Sequence, residues 1–167
     1  TPRTGTLNRD RIDAADSLAF YAQNRFALSD RLALTAGLRA ERYEQTREDL
    51  RSASTQAAAV TSNTEVMPGL GATFELTPSL QFFASAYEAF SPALNGDALS
   101  GLQDQQLDAE RSTNVEGGLR GQSERTRFEL AVFRMNFANQ IIPANSNSEF
   151  QVTNGGKTLH QGLEAGL

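Results

Sequence analysis

Cysteine and tryptophan are absent from this chain of 167 residues, and histidine occurs once, at His160. Without cysteine there are no disulfides, no thiolate metal sites and no thiol nucleophiles, and either redox compartment is open to the protein. Long apolar runs are missing as well. Nothing approaches the roughly 18 consecutive apolar residues of a membrane-spanning helix, and Leu32 to Leu38, among the longest candidates, is short and alternating. That excludes a helical membrane protein but not a β-barrel, whose strands need only alternate. Excess positive charge is also lacking. With a net charge of −5 the chain offers no basic face, so no nucleic-acid partner is expected. Nor are there enzyme signatures: no Gly-x-Ser-x-Gly elbow, no P-loop and no His-Glu-x-x-His pair. His160 reads as a polar filler, and no catalytic residue, cofactor or direct metal site is assigned. The chain starts at Thr1-Pro2-Arg3 without a methionine or a signal-like segment, so its natural start is expected to lie upstream.

What is present is a two-residue period, the mark of a sheet with unlike faces. The residues from Leu107 to Ile142 read as a hairpin around a polar turn, Gln122 to Thr126. In its second strand Phe128, Leu130 and Val132 alternate with Glu129, Ala131 and Phe133. In its first, Val115, Gly117 and Leu119 alternate with Glu116, Gly118 and Arg120. Similar strands are predicted at Ser17 to Ala27, Leu32 to Tyr43, Val66 to Leu76 and Leu80 to Phe90, with a last one from about Glu149. Residues 1–16 and 44–65 are polar, lose the alternation and read as loops. The result is an all-β, antiparallel up-and-down meander of about seven strands.

The connections alternate strictly. Ser29-Asp30, Thr77-Pro78-Ser79 and the turn at Ser123-Glu124 are tight, whereas 44–65, 91–108 and, to a lesser degree, 143–148 are long. A soluble sandwich has no reason to collect all its tight turns at one end. Outer-membrane barrels do, with short turns on the periplasmic side and long loops outside. Strands of roughly 9–11 residues also suit a tilted crossing of the hydrocarbon layer. Aromatics are expected in two girdles, Phe26, Phe74, Phe82 and Phe128 beside the tight turns, and Tyr43, Phe90, Phe137 and Phe150 beside the long loops.

The opposite face carries Arg25, Arg39, Glu41, Glu75, Glu116, Arg120 and Glu129. This is either the solvated side of a soluble sheet or a wet lumen. Arginine on such a wall can pair with a neighbouring carboxylate or bind a ligand carboxylate or phosphate in bidentate fashion. Arg39, Glu41, Tyr87 and Arg120 are the candidate ligand-binding residues of the lumen and upper wall. A soluble antiparallel binding module and a passive porin-like or adhesin barrel are the alternative readings.

Several runs together resemble the barrel of the TonB-dependent outer-membrane receptors, siderophore and ferric-citrate branch. They are Leu107 with Glu110; Asn114, Glu116, Gly118 and Arg120; Phe133, Met135 and Phe137 with Asn139 and Ile141; and Asn154, Gly156 and Lys157 with Gly162 and Glu164. The stretches 18–43 and 66–93 resemble the same barrel. The resemblance implies that residues 1–167 are a partial β-barrel domain, a segment of a transmembrane barrel of about 22 strands, with the plug domain and the last barrel strands absent. It implies the Gram-negative cell outer membrane as location and outer-membrane lipid as surroundings. It further implies TonB-dependent uptake of a ferric siderophore or similar metal chelate, with the TonB complex engaged through the missing N-terminal plug. Iron would arrive already chelated.

Overall fold

The computed structural model describes residues 10–50, 58–93, 107–142 and 153–167. Among them every regular element is a strand, and no helix is long and apolar enough to cross a membrane. The strands are β1 (Arg11–Ala27), β2 (Leu32–Asp49), β3 (Ala58–Thr77), β4 (Leu80–Ser91), β5 (Glu110–Gln122), β6 (Arg127–Ile142) and β7 (Thr153–Gly166). They form one sheet in sequence order, each antiparallel to the next. This is the expected meander of seven strands.

Tight turns hold the lower ends. In the first, the Ser29 hydroxyl accepts from the backbone N–H groups of Arg31 at 3.3 Å and Leu32 at 3.1 Å. Thr77 Oγ1 likewise accepts from Ser79 N at 3.3 Å, and Ser123 N donates to Thr126 O at 2.8 Å. In the first two turns small hydroxyl residues supply the acceptors that a turn backbone lacks, and the third is closed by a backbone carbonyl.

Register decides which residues share a face. Leu32, Phe74, Phe82, Leu119, Leu130 and Ala165 stand opposite one another in succession, a single apolar row across six strands. Higher rows on this face carry Leu38, Leu70, Val115 and Leu163, and all of these are exposed. Apolar patches this extensive are not left in water by a soluble monomer. On the other face Glu75, Gln81, Arg120 and Glu129 form the neighbouring row. The expected positions of Arg25, Arg39, Glu41, Glu75, Glu116, Arg120 and Glu129 on one polar face therefore hold.

Glycines on the polar face make room for aromatic rings. Phe83 and Ala131 flank Gly118 in the ladder. A Cβ there would collide with the Leu130 carbonyl oxygen and come within 2.9 Å of the Phe83 ring. Gly162 lies opposite Phe133, whose ring would be 2.8 Å from an added Cβ. A ring laid over a cross-strand glycine covers backbone that would otherwise stay open.

Three expectations change. Residues 11–16 belong to β1, and 44–49 and 58–65 extend β2 and β3 well past the predicted ends. The β2 part of this extension is polar on both faces, so its two-residue period vanishes although the ladder continues, from Ser17↔Tyr43 up to Arg11↔Asp49. The aromatics near the long connections do not form an outward girdle. Tyr43 and Phe137 share the polar face by register, Tyr43 stacks on Phe90 at 5.6 Å and Phe137 meets His160 edge to face at 5.2 Å. Phe150, the predicted start of β7 at Glu149 and the link 143–148 lie outside the described residues. The lower aromatics Phe26, Phe74, Phe82 and Phe128 are exposed on the apolar face, as expected.

Candidate functional site

Side-chain burial in the described residues is concentrated at the long-connection end of the polar face. Tyr43, Gln45, Arg47, Thr61, Glu65, Ser112 and Asn114 are buried there, with Ala93, Leu107 and Ala109 as the apolar part. The β2 members Tyr43, Gln45 and Arg47 continue the parity of Arg39 and Glu41, so the polar face runs straight into this cluster. Buried polar groups require partners, and Gln45, Arg47 and Glu65 have them, whereas the Tyr43 hydroxyl and Asn114 Oδ1 are buried without a hydrogen-bond partner among the described residues. Gln45 Nε2 donates to Ala93 O at 2.7 Å. Arg47 Nε and Nη2 donate to the two oxygens of Asp13 at 2.6 and 2.9 Å. That bidentate hydrogen bonding holds the Asp13 carboxyl below the usual carboxylate range. Arg111 Nη2 reaches Glu65 at 2.8 Å.

Immediately below stand two of the predicted ligand residues. Arg39 donates to Glu41 Oε2 from Nε at 3.1 Å and from Nη2 at 2.8 Å, and Ser17 Oγ donates to Glu41 Oε1 at 2.5 Å. Glu41 faces Glu65 directly across the β2–β3 ladder. Two carboxylates at this spacing repel, and each is matched by its own arginine, Arg39 for Glu41 and Arg111 for Glu65. Arg39 keeps about half its side chain exposed, with a relative accessibility of 47%. A guanidinium held in orientation by one carboxylate, yet open on its other edge, can take a second anionic group.

Tyr87 stands on the same face two strands away, opposite Gly69 and Asn114. It is exposed, and its row lies next to that of Arg39. Arg120 is elsewhere. It shares the polar face but sits at the tight-turn end of β5, six residues below Asn114, whose row runs through Tyr87 and Gly69 to Gly37, and Arg39 lies two residues further up β2, an offset of eight in all. At the rise of a strand that is roughly 26 Å. Arg120 Nε donates to Gln81 Oε1 at 2.7 Å, Gln81 Nε2 donates to Glu75 Oε1, and the guanidinium lies 5.4 Å from the Phe83 ring centre. With Arg31, Arg127 and Glu129, the residues Arg120, Gln81 and Glu75 line a cleft of about 1100 Å³. The structure thus brings Arg39 and Glu41 together, sets Tyr87 near them and places Arg120 at the opposite end.

Sequence reasoning missed the buried polar cluster. Its signal was there in Tyr43, Gln45 and Arg47, which keep the two-residue step of β2 while both faces turn polar. Among the described residues, no group of three or more His, Cys, Asp or Glu side chains could hold a metal ion.

Comparison with known proteins gives the following. The model of the family described as "TonB dependent receptor-like, beta-barrel" matches residues 1–167. An uncharacterized TonB-dependent receptor of Haemophilus influenzae is 26% identical over 164 residues, covering 96% of this chain and 46% of the relative. Among solved structures, the unliganded ferric citrate transporter FecA superposes with a TM-score of 0.80 at 23% identity, over 98% of this chain and 24% of the transporter. The siderophore receptor PiuA from Acinetobacter baumannii does so with a TM-score of 0.78 at 21% identity, over 93% and 23%. The chain therefore spans about half the length of the curated relative and about a quarter of these receptors.

Proposed function

The chain belongs to the TonB-dependent receptor-like β-barrel family, and from that premise we propose that it is a wall segment of a receptor that takes up a ferric siderophore or similar metal chelate. The family is one of receptors, not of enzymes, and its barrels lie in the outer membrane of Gram-negative bacteria. In this reading residues 1–167 are part of the barrel domain. The remainder of the barrel, and a plug through which the TonB complex acts, belong to the rest of the protein.

The observation that carries the proposal is the two-faced sheet. One face is apolar and open across seven strands, as lipid contact requires. The other bears ordered charges and leads into a polar cluster at the loop end. A chelate entering from outside would first meet that end. Arg39, with Glu41 to orient it and Tyr87 beside it, is proposed as the upper-wall contact, where guanidinium can meet chelator carboxylate or oxyanion groups. Arg120 is proposed as a lumen residue further down the path.

Uptake of ⁵⁵Fe-loaded citrate, catecholate and hydroxamate chelates by cells producing the full-length receptor tests the reading. Accumulation of at least one of them should stop when TonB is deleted or the proton gradient collapsed. Accumulation that persists without TonB would instead mark a passive pore.

A further inference from the structure

Two of the family-like motif residues near the long connections, Glu110 and Asn154, hold backbone with their side chains. Asn154, at the start of β7, uses its whole carboxamide. Oδ1 accepts from Asp108 N at 2.7 Å, and Nδ2 donates to Asp108 O at 2.9 Å and to Asn139 O at 2.8 Å. Among the described residues Asn139 is the non-glycine residue with positive φ, 56°, and it sits where the β6–β7 register slips between Phe137 and Gln140. Such a bulge interrupts the ladder and leaves backbone groups in need of other partners. Asn154 takes the carbonyl of Asn139. Glu110, at the start of β5, takes the next free donor, accepting from Ile141 N at 2.7 Å. Leu107 and Ala109, either side of Asp108, are buried.

On the neighbouring side Gln45 holds Ala93 O. The chain leaves β4 through Ala93 and returns through 107–109; it leaves β6 through Ile142 and returns at Thr153. Each of these four points is therefore pinned, directly or within two residues, by a side-chain-to-backbone hydrogen bond.

We propose that Asn154 and Glu110 are positioning residues for the ligand-binding surface at the loop end: they set where two neighbouring connections depart and return, and so control affinity without touching the chelate. This rests on the receptor reading above. Preorganised exits lower the ordering cost that a bound ligand must offset, whereas the mid-membrane wall is untouched by their loss.

The test uses the full-length receptor with Asn154→Ala, Glu110→Ala and Glu110→Gln. Correct folding is checked by the heat-modifiable gel mobility of the barrel, and amide exchange is followed in peptides spanning 107–110 and 139–142. Both alanine variants should speed exchange there and leave that of 128–133 unchanged. For the chelate that the wild type transports, the half-saturating concentration should rise about tenfold with the maximal rate retained. Glu110→Gln keeps an amide oxygen for Ile141 N–H and should restore affinity. A fall in maximal rate at unchanged half-saturation, as from fewer folded receptors, would overturn the positioning role. So would faster exchange with unaltered affinity, or exchange that does not change in any variant. A wild type that transports none of the three chelates would instead sink the receptor reading, while the exchange data still decide whether the hydrogen bonds hold the exits.

Discussion

The lower wall and the loop end of this sheet are built by opposite rules. Near the tight turns, apolar side chains such as Leu130 and Leu163 remain exposed, and little in the chain covers them. Stability there rests on the ladder of backbone hydrogen bonds and on a surrounding apolar medium, because an unpaired backbone group in hydrocarbon costs several kcal/mol, roughly as much as any other unsatisfied polar group there. At the loop end the buried residues are chiefly polar, and side chains hold other side chains and backbone. A core in the ordinary sense is therefore found where the sheet leaves the membrane, not within it.

Substitutions can break this contrast. The largest effect is expected for Leu130→Arg, which puts a charge on the lipid face in the lower-wall row of Phe74 and Phe82 and should destabilise the folded barrel by about 1–3 kcal/mol. Glu129→Arg, one residue away on the polar face, should be far milder, as measured by urea unfolding of the receptor in bilayers. Equal effects would reject the facing. Next comes Gly118→Ala. Its new methyl has no space between the Leu130 carbonyl and the Phe83 ring, and a cost of about 1–3 kcal/mol is expected in the same unfolding measurement. Gly166→Ala, where nothing lies within 4 Å, is the matched control and should be near neutral.

A smaller effect sharpens the other half of the comparison. The Asp13 carboxyl is held below its ordinary range by Arg47, so this pair stabilises the β1–β2 extension above the unfolded carboxylate pKa. The contribution is lost as pH falls through the depressed value. Amide exchange in 11–15 and 45–49 should therefore quicken in acid beyond the intrinsic pH trend, and Arg47→Ala should bring the same loosening at neutral pH. No such change is expected in the lower wall.

The same contrast explains what could be read from sequence. Leu32, Leu34, Ala36 and Leu38 announce a strand because lipid lies on one side and water on the other, and the two-residue period records that difference. The connection pattern then supplies direction, since tight and long links alternate. Once β2 passes Tyr43 both faces are polar, and the strand that continues to Asp49 leaves no hydrophobic trace. The candidate site divides likewise. Arg39 and Glu41 could be placed on the polar face by parity, and they proved to be bonded. Their height relative to Arg120 required the register, because parity says which face a residue occupies and nothing about its neighbours three strands away. Asn154 and Glu110 were visible as motif residues. Their shared purpose was not, because it depends on a bulge at Asn139 that brings three strand ends together.

The most direct test of the two-faced wall is a single-cysteine spin-label scan along β6 in the full-length receptor embedded in bilayers, aided by the absence of native cysteine from this chain. Labels at Phe128, Leu130 and Val132 should be accessible to lipid-soluble oxygen and shielded from a water-soluble nickel chelate. Labels at Glu129, Ala131 and Phe133 should show the reverse. Uniform accessibility along 128–133, or alternation of the opposite phase, would contradict the account.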